Sequence, residues 1–194
     1  VVDHARALDA PALRLGVDFA FEAGTYRCAA TILTPGGLEL TGLEAAGIHP
    51  SAVAGALTVL NVLGVDLDPA CMRDAAQSVV VPGRQQMFVH AGTRLVLDVA
   101  HNPHAARVLA ERLPAGETFE LVFGAFADKD VEGILAPLAP RLSGVTLVAT
   151  PGARGASAED LAERIAGCTL PDVATADSVA TALDRARARA GRGS

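Results

Sequence analysis

The stretch LVLDVAHNPHAARVLAERL, at residues 95–113, constrains the fold of this chain more than any other. Its first three residues are apolar and predict a buried strand that places Asp98 at its carboxyl end. Asn102 is a natural N-cap, Pro103 suits a first helical turn, and apolar residues recur at helical spacing at Ala105, Val108, Leu109 and Leu113. Open α/β sheets place ligand sites at such corners, so this stretch is the first candidate site.

Strands and helices alternate from residue 87 onward. A hairpin formed by residues 87–90 and 93–99 is predicted to lead into the central strand. The next strands are predicted at 119–123, 145–150 and 172–174, and the helices at 131–142, 158–166 and 178–190. This alternation predicts an α/β fold with a Rossmann-like, mostly parallel sheet.

The first part of the chain has a different pattern. It predicts a hairpin around Gly24 (residues 17–21 and 25–32), a short strand at 38–43, and helices at 51–63 and 69–79, the second capped by Asp68. The run VVVPG at 79–83 breaks the helical pattern and indicates a linker. We therefore expect one incomplete domain over residues 1–81 and a second domain over 82–194.

Charge and composition exclude several classes of protein. The net charge is −6, and the one basic run, at residues 185–192, is interpreted as the solvated end of a helix, which disfavours a nucleic-acid surface. No apolar stretch approaches the roughly 20 residues of a membrane span. The three cysteines are far apart and lack metal-site spacing, which favours a reducing, cytoplasmic location (Cys28, Cys71 and Cys168).

Asp98 and His101 each allow a chemical and a structural interpretation. Asp98 could accept hydrogen bonds from a ribose, bind a metal or attack a phosphoryl group, or it could cap the following turn. His101 could polarise a substrate carboxylate or bridge to a phosphate, or it could be a packed corner histidine. An aspartate-nucleophile phosphatase needs a second Asp two residues after the first. This chain has Ala100 at that position, so we reject that class of enzyme.

Three further segments carry candidate binding residues. Arg84, in PGRQQ, could bind a phosphate at a domain junction, or it could be a solvent-exposed charge. The segment GAFADKD places Asp128, Lys129 and Asp130 after a predicted strand, where they could be helix-start residues or, with Asp98 at another strand end, part of a site at one edge of the sheet. GARGAS, at 152–157, has small residues that would let the backbone approach an anion. The sequence contains neither GxxxxGK[ST] nor GxGxxG.

Taken together, these motifs resemble the carboxy-terminal part of folylpolyglutamate synthase. The resemblance is narrower to the bacterial bifunctional dihydrofolate synthase/folylpolyglutamate synthase of the Mur ligase superfamily. It is carried by DVAHNPHAA at 98–106, FGAFADKD at 123–130, PGRQQ at 82–86 and ARGASAEDL at 153–161. GVDFAF, at 16–21, and the helix after Pro50 are similar to the end of the family's central ATPase domain.

This resemblance implies an ATP-dependent ligase of folate biosynthesis. The family phosphorylates a carboxylate of dihydropteroate or a reduced folate, and the amine of L-glutamate then displaces phosphate from the acyl phosphate. By the motif match, Arg84 and Asp98 would hold ATP, His101 would lie near the glutamate or the transferring phosphoryl group, and Lys129 would line the cleft. Mg²⁺ would be the metal, with its ligands upstream of this segment. We expect a monomer.

The departures from the family pattern predict that this chain is a fragment. The family's ATP loop, magnesium ligands and carbamylated lysine belong to upstream sequence, and the glycine–serine–phenylalanine motif of the family's last strand, expected after Ala190, is absent from this sequence. The Asn that contacts adenine in the family falls at Ser51 or Ala52. Two alternatives stay open: a non-catalytic, Rossmann-like nucleotide-binding module, and another Mur-type amino-acid ligase.

Overall fold

The first part of the chain folds around a small antiparallel sheet. The computed structural model describes residues 2–44 and 48–190. The elements are the helix α1 (Val2–Ala7) and the strands β1 (Phe19–Glu22), β2 (Thr25–Cys28) and β3 (Leu38–Leu40), with the strands paired in that order. Gly24 turns β1 into β2 at a φ of +74°, a left-handed conformation that glycine adopts without steric cost. The predicted hairpin around Gly24 is confirmed.

Two proline-initiated helices follow, α2 (Pro50–Val62) and α3 (Pro69–Ser78). The imidazole of His49 accepts the N–H of Ser51 and caps α2. The carboxylate of Asp68 caps α3 in the same way, as its position before Pro69 predicts. Both predicted helices are confirmed, with ends that differ by a single residue.

The small sheet packs on α2 through Tyr26, which is fully buried. Its hydroxyl lies 2.9 Å from Oγ1 of Thr58, and that oxygen lies 2.8 Å from the carbonyl oxygen of Ala54, to which it donates. Burial raises the pKa of Tyr26 to about 12, because the apolar surroundings disfavour the phenolate.

The chain divides into two compact units between Gln86 and Met87. The predicted domains, 1–81 and 82–194, stay a prediction. The second unit begins with a hairpin, continues with a parallel sheet in the order β6-β7-β8, and has helices between the strands. Its elements are β4 (Gln86–His90), β5 (Thr93–Leu97), α4 (Pro103–Arg112), β6 (Phe119–Phe123), α5 (Val131–Leu135), β7 (Leu142–Val148), α6 (Ala158–Arg164), β8 (Val173–Ala176) and α7 (Val179–Ala190).

The central strand β7 contributes buried residues to two hydrophobic clusters. Its residues from Gly144 to Val148 are all buried, as expected for a parallel strand covered on both faces. Val145 and Leu147 join the core that contains buried residues of α5 and α6. Val148 faces a second cluster with Ala182 of α7. The predicted α/β class with a mostly parallel sheet is confirmed.

The strand before Asp98 does not join this sheet. Instead, β5 pairs with β4 in a two-stranded sheet, and Leu97 remains 51% exposed. The prediction that residues 95–97 form a buried central strand is therefore wrong. Ala91 and Gly92 both have positive φ, as a two-residue hairpin turn requires, and they turn β5 back onto β4.

Two other expectations for the second unit are corrected. The helix predicted at 131–142 ends at Leu135, and a 3₁₀ turn follows at Ala139–Arg141, because Pro137 and Pro140 lack the N–H groups that a longer helix needs. The arginines of α7 are not simply solvated: Arg189 contacts Glu120 at 3.5 Å and Asp172 at 2.6 Å. Arg192 and the expected position of a last strand lie outside the described residues.

Candidate functional site

Two loops at the carboxyl ends of neighbouring parallel strands lie side by side. We call residues 124–130 the β6 loop and residues 149–157 the β7 loop. Phe126 and Gly155 form an antiparallel bridge between them. The N–H of Ala127 donates to the carbonyl oxygen of Arg154 at 2.9 Å, and the N–H of Ala156 donates to that of Ala125 at 3.1 Å. The two loops therefore form one backbone-paired unit at the edge where α/β sheets bind ligands.

Glycines in these loops permit close packing of the chain on itself. A Cβ on Gly155 would overlap the carbonyl oxygen of Thr150. A Cβ on Gly124 would lie 3.0 Å from Oγ1 of Thr150 and 3.1 Å from the carbonyl oxygen of Val148. The small residues of GARGAS thus serve a tight turn of the β7 loop, whereas their predicted role was to admit an anion.

The charged residues of the β6 loop are joined to Arg154. Its Nη2 donates to both carboxylate oxygens of Asp128, at 3.2 and 3.3 Å, and its guanidinium carbon lies 5.0 Å from the centre of the Phe126 ring. This hydrogen bond holds the pKa of Asp128 below its usual range. The ammonium of Lys129 lies 3.5 Å from Oδ2 of the same carboxylate, and its side chain is 26% exposed.

Arg164, at the end of α6, binds the backbone of the β6 loop. Its Nη1 donates to the carbonyl oxygen of Ala127 at 3.1 Å, and its Nη2 donates to that of Lys129. Neither Arg164 nor Arg154 was predicted from the sequence to be a site residue. An arginine in the last turn of a helix is common there because it suits the helix dipole, so its position alone gave no signal of these contacts.

The polar corner before α4 is bound to its own backbone. Oδ1 of Asp98 accepts the N–H of Ala100 at 2.7 Å. Asp98 therefore makes the turn-capping contact that its structural interpretation predicts. Asn102 caps α4 by accepting the N–H of Ala105 at 2.9 Å, as predicted. His101 is exposed, with Nδ1 3.1 Å from the carbonyl oxygen of Val99. A carbonyl oxygen only accepts, so Nδ1 carries the proton and Nε2 of the neutral ring is an acceptor.

The corner before α4 reaches the end of the β6 loop through Pro103. A Cβ on Gly133 would lie 2.8 Å from Cγ of Pro103 and would overlap the carboxylate of Asp130. Asp130 is the N-cap of α5 and accepts the N–H of Gly133 at 2.9 Å. Although β5 and β6 lie in different sheets, the first turns of α4 and α5 are therefore in contact.

Arg84 lies in the first unit, in the turn that precedes β4. Its side chain is exposed, and its backbone N–H donates to the carbonyl oxygen of Val81 at 3.0 Å. Ser51, one of the two positions where the resemblance led us to expect an adenine contact, has its hydroxyl 2.6 Å from Nδ1 of His49. The first unit also contains an open groove of about 700 Å³ beside β1, where Asp18 is paired with Arg14 and Arg27 with Glu39.

Within residues 2–44 and 48–190, no three His, Cys, Asp or Glu side chains converge in a way that could hold a metal ion. None of the helices over the same ranges is long and apolar enough to cross a membrane.

A mostly parallel α/β sheet with helices between its strands defines the class of the second unit, a Rossmann-like α/β domain. The family model of the Mur ligase, glutamate ligase domain, matches residues 83–194. The chain belongs to the Mur ligase family. The resemblance inferred from the sequence motifs is confirmed.

Known relatives agree with this assignment. The chain is 39% identical over 145 residues to the dihydrofolate synthase/folylpolyglutamate synthase of Escherichia coli K12. The aligned region covers 73% of this chain and 33% of the relative. The bifunctional folylpolyglutamate synthase/dihydrofolate synthase of Yersinia pestis, complexed with AMPPNP and Mn ion, is 33% identical with a TM-score of 0.81. That match covers 96% of this chain and 44% of the solved chain.

Two further solved structures are similar to this chain. A bifunctional folylpolyglutamate synthase/dihydrofolate synthase with Mn, AMPPNP and L-glutamate bound is 34% identical, with a TM-score of 0.81. The match covers 96% of this chain and 44% of the solved chain. E. coli FolC in complex with DHPP and ADP is 31% identical, with a TM-score of 0.80, over the same shares. The chain thus spans between a third and a half of the length of these relatives.

Proposed function

We propose that this chain is part of an ATP-dependent ligase that adds L-glutamate to dihydropteroate or to reduced folates through an acyl phosphate. One observation carries the proposal: a chain that matches the glutamate ligase domain presents a cation, Lys129, in a loop at the carboxyl edge of its parallel sheet. The relatives named above are folate enzymes, which favours the folate branch over other Mur-type ligases.

Lys129 is proposed to bind a carboxylate of the incoming glutamate. Its neighbour Asp128 is already held by Arg154, so the carboxylate of Asp128 does not depend on Lys129 for its charge partner. The 3.5 Å separation from Oδ2 of Asp128 is longer than a good charge-assisted hydrogen bond, so the ammonium can turn to a ligand at little cost.

His101 is proposed to lie near the glutamate amine or the transferring phosphoryl group. The contact of Nδ1 with the carbonyl oxygen of Val99 fixes the tautomer and leaves Nε2 as the acceptor. A neutral imidazole with this orientation can take a proton from an attacking amine. The exposure of the ring allows a substrate to reach it.

Arg84 and Asp98 are proposed to bind ATP, which supplies the phosphoryl group that activates the carboxylate. The exposed guanidinium of Arg84 has the geometry for phosphate, and the carboxylate of Asp98 can accept ribose hydroxyl groups. For Mg²⁺ the described residues offer no set of three ligands, so we assign no metal-dependent step to them.

We also propose that the protein acts in the cytoplasm as a monomer. Cys28, Cys71 and Cys168 are all free thiols, which suits a reducing compartment. Sedimentation equilibrium of the purified protein tests the monomer, and a mass twice that of the chain would contradict it.

The function is tested with the complete protein encoded by the gene. The protein is incubated with dihydropteroate or tetrahydrofolate, L-glutamate and Mg-ATP, and phosphate release and the mass of the pterin product are measured. We expect phosphate release that requires all three substrates, and a product heavier by one glutamyl residue. Phosphate release without a glutamylated product, or no release, would refute the proposal.

A further inference from the structure

Arg164 contacts the β6 loop on both sides of Asp128. Its two terminal nitrogens donate to the carbonyl oxygens of Ala127 and Lys129, which are separated by that one residue. A guanidinium presents several donors in a rigid plane, so a single side chain can fix two backbone positions at once. These contacts join residues that are 37 and 35 positions apart in the sequence.

The helix that carries Arg164 is itself firmly anchored. Ser157 and Asp160 form a capping box at the start of α6. Leu161 and Ile165, on either side of Arg164, are 0% and 3% exposed and belong to the main core of the second unit. The guanidinium is therefore held on a rigid support and can transmit that rigidity to the loop.

The other contacts of the β6 loop hold it at different points. The β7 loop pairs with Ala125 and Ala127 and holds Asp128 through Arg154, and Asp130 is fixed as the cap of α5. The backbone of Lys129 lies between these anchors, where its N–H donates to the carbonyl oxygen of Phe126 at 3.1 Å and its carbonyl oxygen accepts from Arg164.

We propose that Arg164 is a positioning residue for Lys129. By fixing the carbonyl groups before and after Asp128, it sets the backbone orientation from which the Lys129 side chain reaches the carboxylate of glutamate. The inference rests on the proposed role of Lys129 as the glutamate-binding cation. It adds that a residue that contacts the loop through its backbone carbonyl groups sets the affinity of the site for glutamate.

A purely structural role for Arg164 makes a different prediction. If Arg164 only joined α6 to the loop, its loss would lower stability and total activity without a preference among substrates. If it positions Lys129, its loss raises the KM for glutamate and leaves the KM for ATP unchanged. Its effect must then disappear when Lys129 is absent, because coupled residues are not additive.

The loop is tested first, by amide hydrogen exchange on the chain, without any assay of activity. Arg164→Gln should raise the exchange rate of the Lys129 amide about tenfold, as expected for the loss of a charge-assisted contact, and Arg164→Lys should raise it less. Arg185→Gln is the matched control, since Arg185 donates to the carbonyl oxygen of Thr175 at 2.8 Å on a different element. Unchanged exchange in Arg164→Gln would overturn the inference whatever the protein catalyses.

Kinetics of the complete protein then separate the inference from the proposed function. We expect Lys129→Met and Arg164→Gln each to raise the KM for glutamate about tenfold, Arg164→Lys to restore part of the loss, and the double variant to match Lys129→Met alone. Additive effects in the double variant would overturn the role of Arg164 and leave that of Lys129 intact. An unchanged KM for glutamate in Lys129→Met would overturn the proposed role of Lys129 and the inference with it.

Discussion

Arg154 joins the β7 loop to the β6 loop through Asp128, with Nη2 3.2 Å from Oδ2 and 3.3 Å from Oδ1. The same residue accepts the N–H of Ala127 on its carbonyl oxygen and places its guanidinium over Phe126. One residue thus fixes the β6 loop by an ion pair, a backbone hydrogen bond and a cation–π contact. Asp128 is paired with Arg154 within the protein. Lys129, beside it, is the charged residue that we propose binds the substrate.

The ion pair predicts an acid-shifted titration of Asp128. Arg154 lowers the pKa of this carboxyl group, so its contribution to the free energy of unfolding is present above the pKa of the unfolded chain and is lost as the pH falls through the lower folded value. The residue is exposed, so the effect on overall stability is small. NMR titration should give a midpoint below the usual value of about 3.9 that Arg154→Gln restores and Arg187→Gln does not change.

Gly155→Ala should destabilise the second unit. The new methyl group would overlap the carbonyl oxygen of Thr150, which belongs to the backbone and cannot move without breaking the turn of the β7 loop. Forced overpacking of this kind costs about 1–3 kcal/mol. Gly167→Ala is the control, because a Cβ at that position meets no atom within 4 Å. Urea denaturation followed by circular dichroism measures both, and an equal midpoint for the two variants would contradict the packing argument.

The single tyrosine of the chain gives a second pH prediction. Burial raises the pKa of Tyr26 to about 12, whereas a tyrosine in the unfolded chain titrates near 10. Between these values the folded state keeps a proton that the unfolded state loses, so stability falls as the pH rises. The free energy of unfolding falls by about 1.4 kcal/mol per unit of pH in the range where the unfolded tyrosine has lost its proton and the folded one has kept it. Absorbance at the tyrosinate band should appear only as the protein approaches pH 12 or unfolds, and a midpoint near 10 in folded protein would contradict burial.

Features set by neighbouring residues were predictable from the sequence. The caps at Asp68 and Asn102 and the hairpin at Gly24 depend on a few adjacent positions, and all three occur as predicted. The premature end of α5 was also visible in the sequence, because Pro137 and Pro140 are unfavourable inside a helix.

Features that depend on distant residues were not predictable. An apolar run such as residues 95–97 indicates a strand but not its partner, and β5 pairs with β4 outside the parallel sheet. The contacts of Arg164 with the carbonyl oxygens of Ala127 and Lys129 cross more than thirty positions and use no side-chain motif on the acceptor side. The polar residues of the candidate site could therefore be named as candidates from the sequence, whereas the contacts of the arginines that hold their loop could not be predicted.

Arg84→Ala and Asp98→Ala, made in the complete protein, should weaken the use of ATP. The loss of one charge-assisted contact costs about 1.5–3 kcal/mol, which corresponds to roughly a ten- to hundredfold rise in the KM for ATP. Arg84 is exposed, so its removal should leave the fold intact, and Arg107→Ala on the outer face of α4 is the matched control. An unchanged KM for ATP in both variants would refute the assignment of these residues.

The last prediction is that this chain by itself adds no glutamate and binds ATP weakly at best. Formation of an acyl phosphate depends on metal ions and cations placed around the transferring phosphoryl group. The sequence contains no GxxxxGK[ST] loop, and the described residues include no cluster that could hold a metal ion. Arg84 and His101 are exposed, so their contacts with a phosphate would be weakened by water and salt. The purified chain is assayed beside the complete protein with the same substrates and Mg-ATP, and a boiled sample sets the background. Glutamate-dependent phosphate release by the chain above that background would show that its own residues complete the catalytic centre.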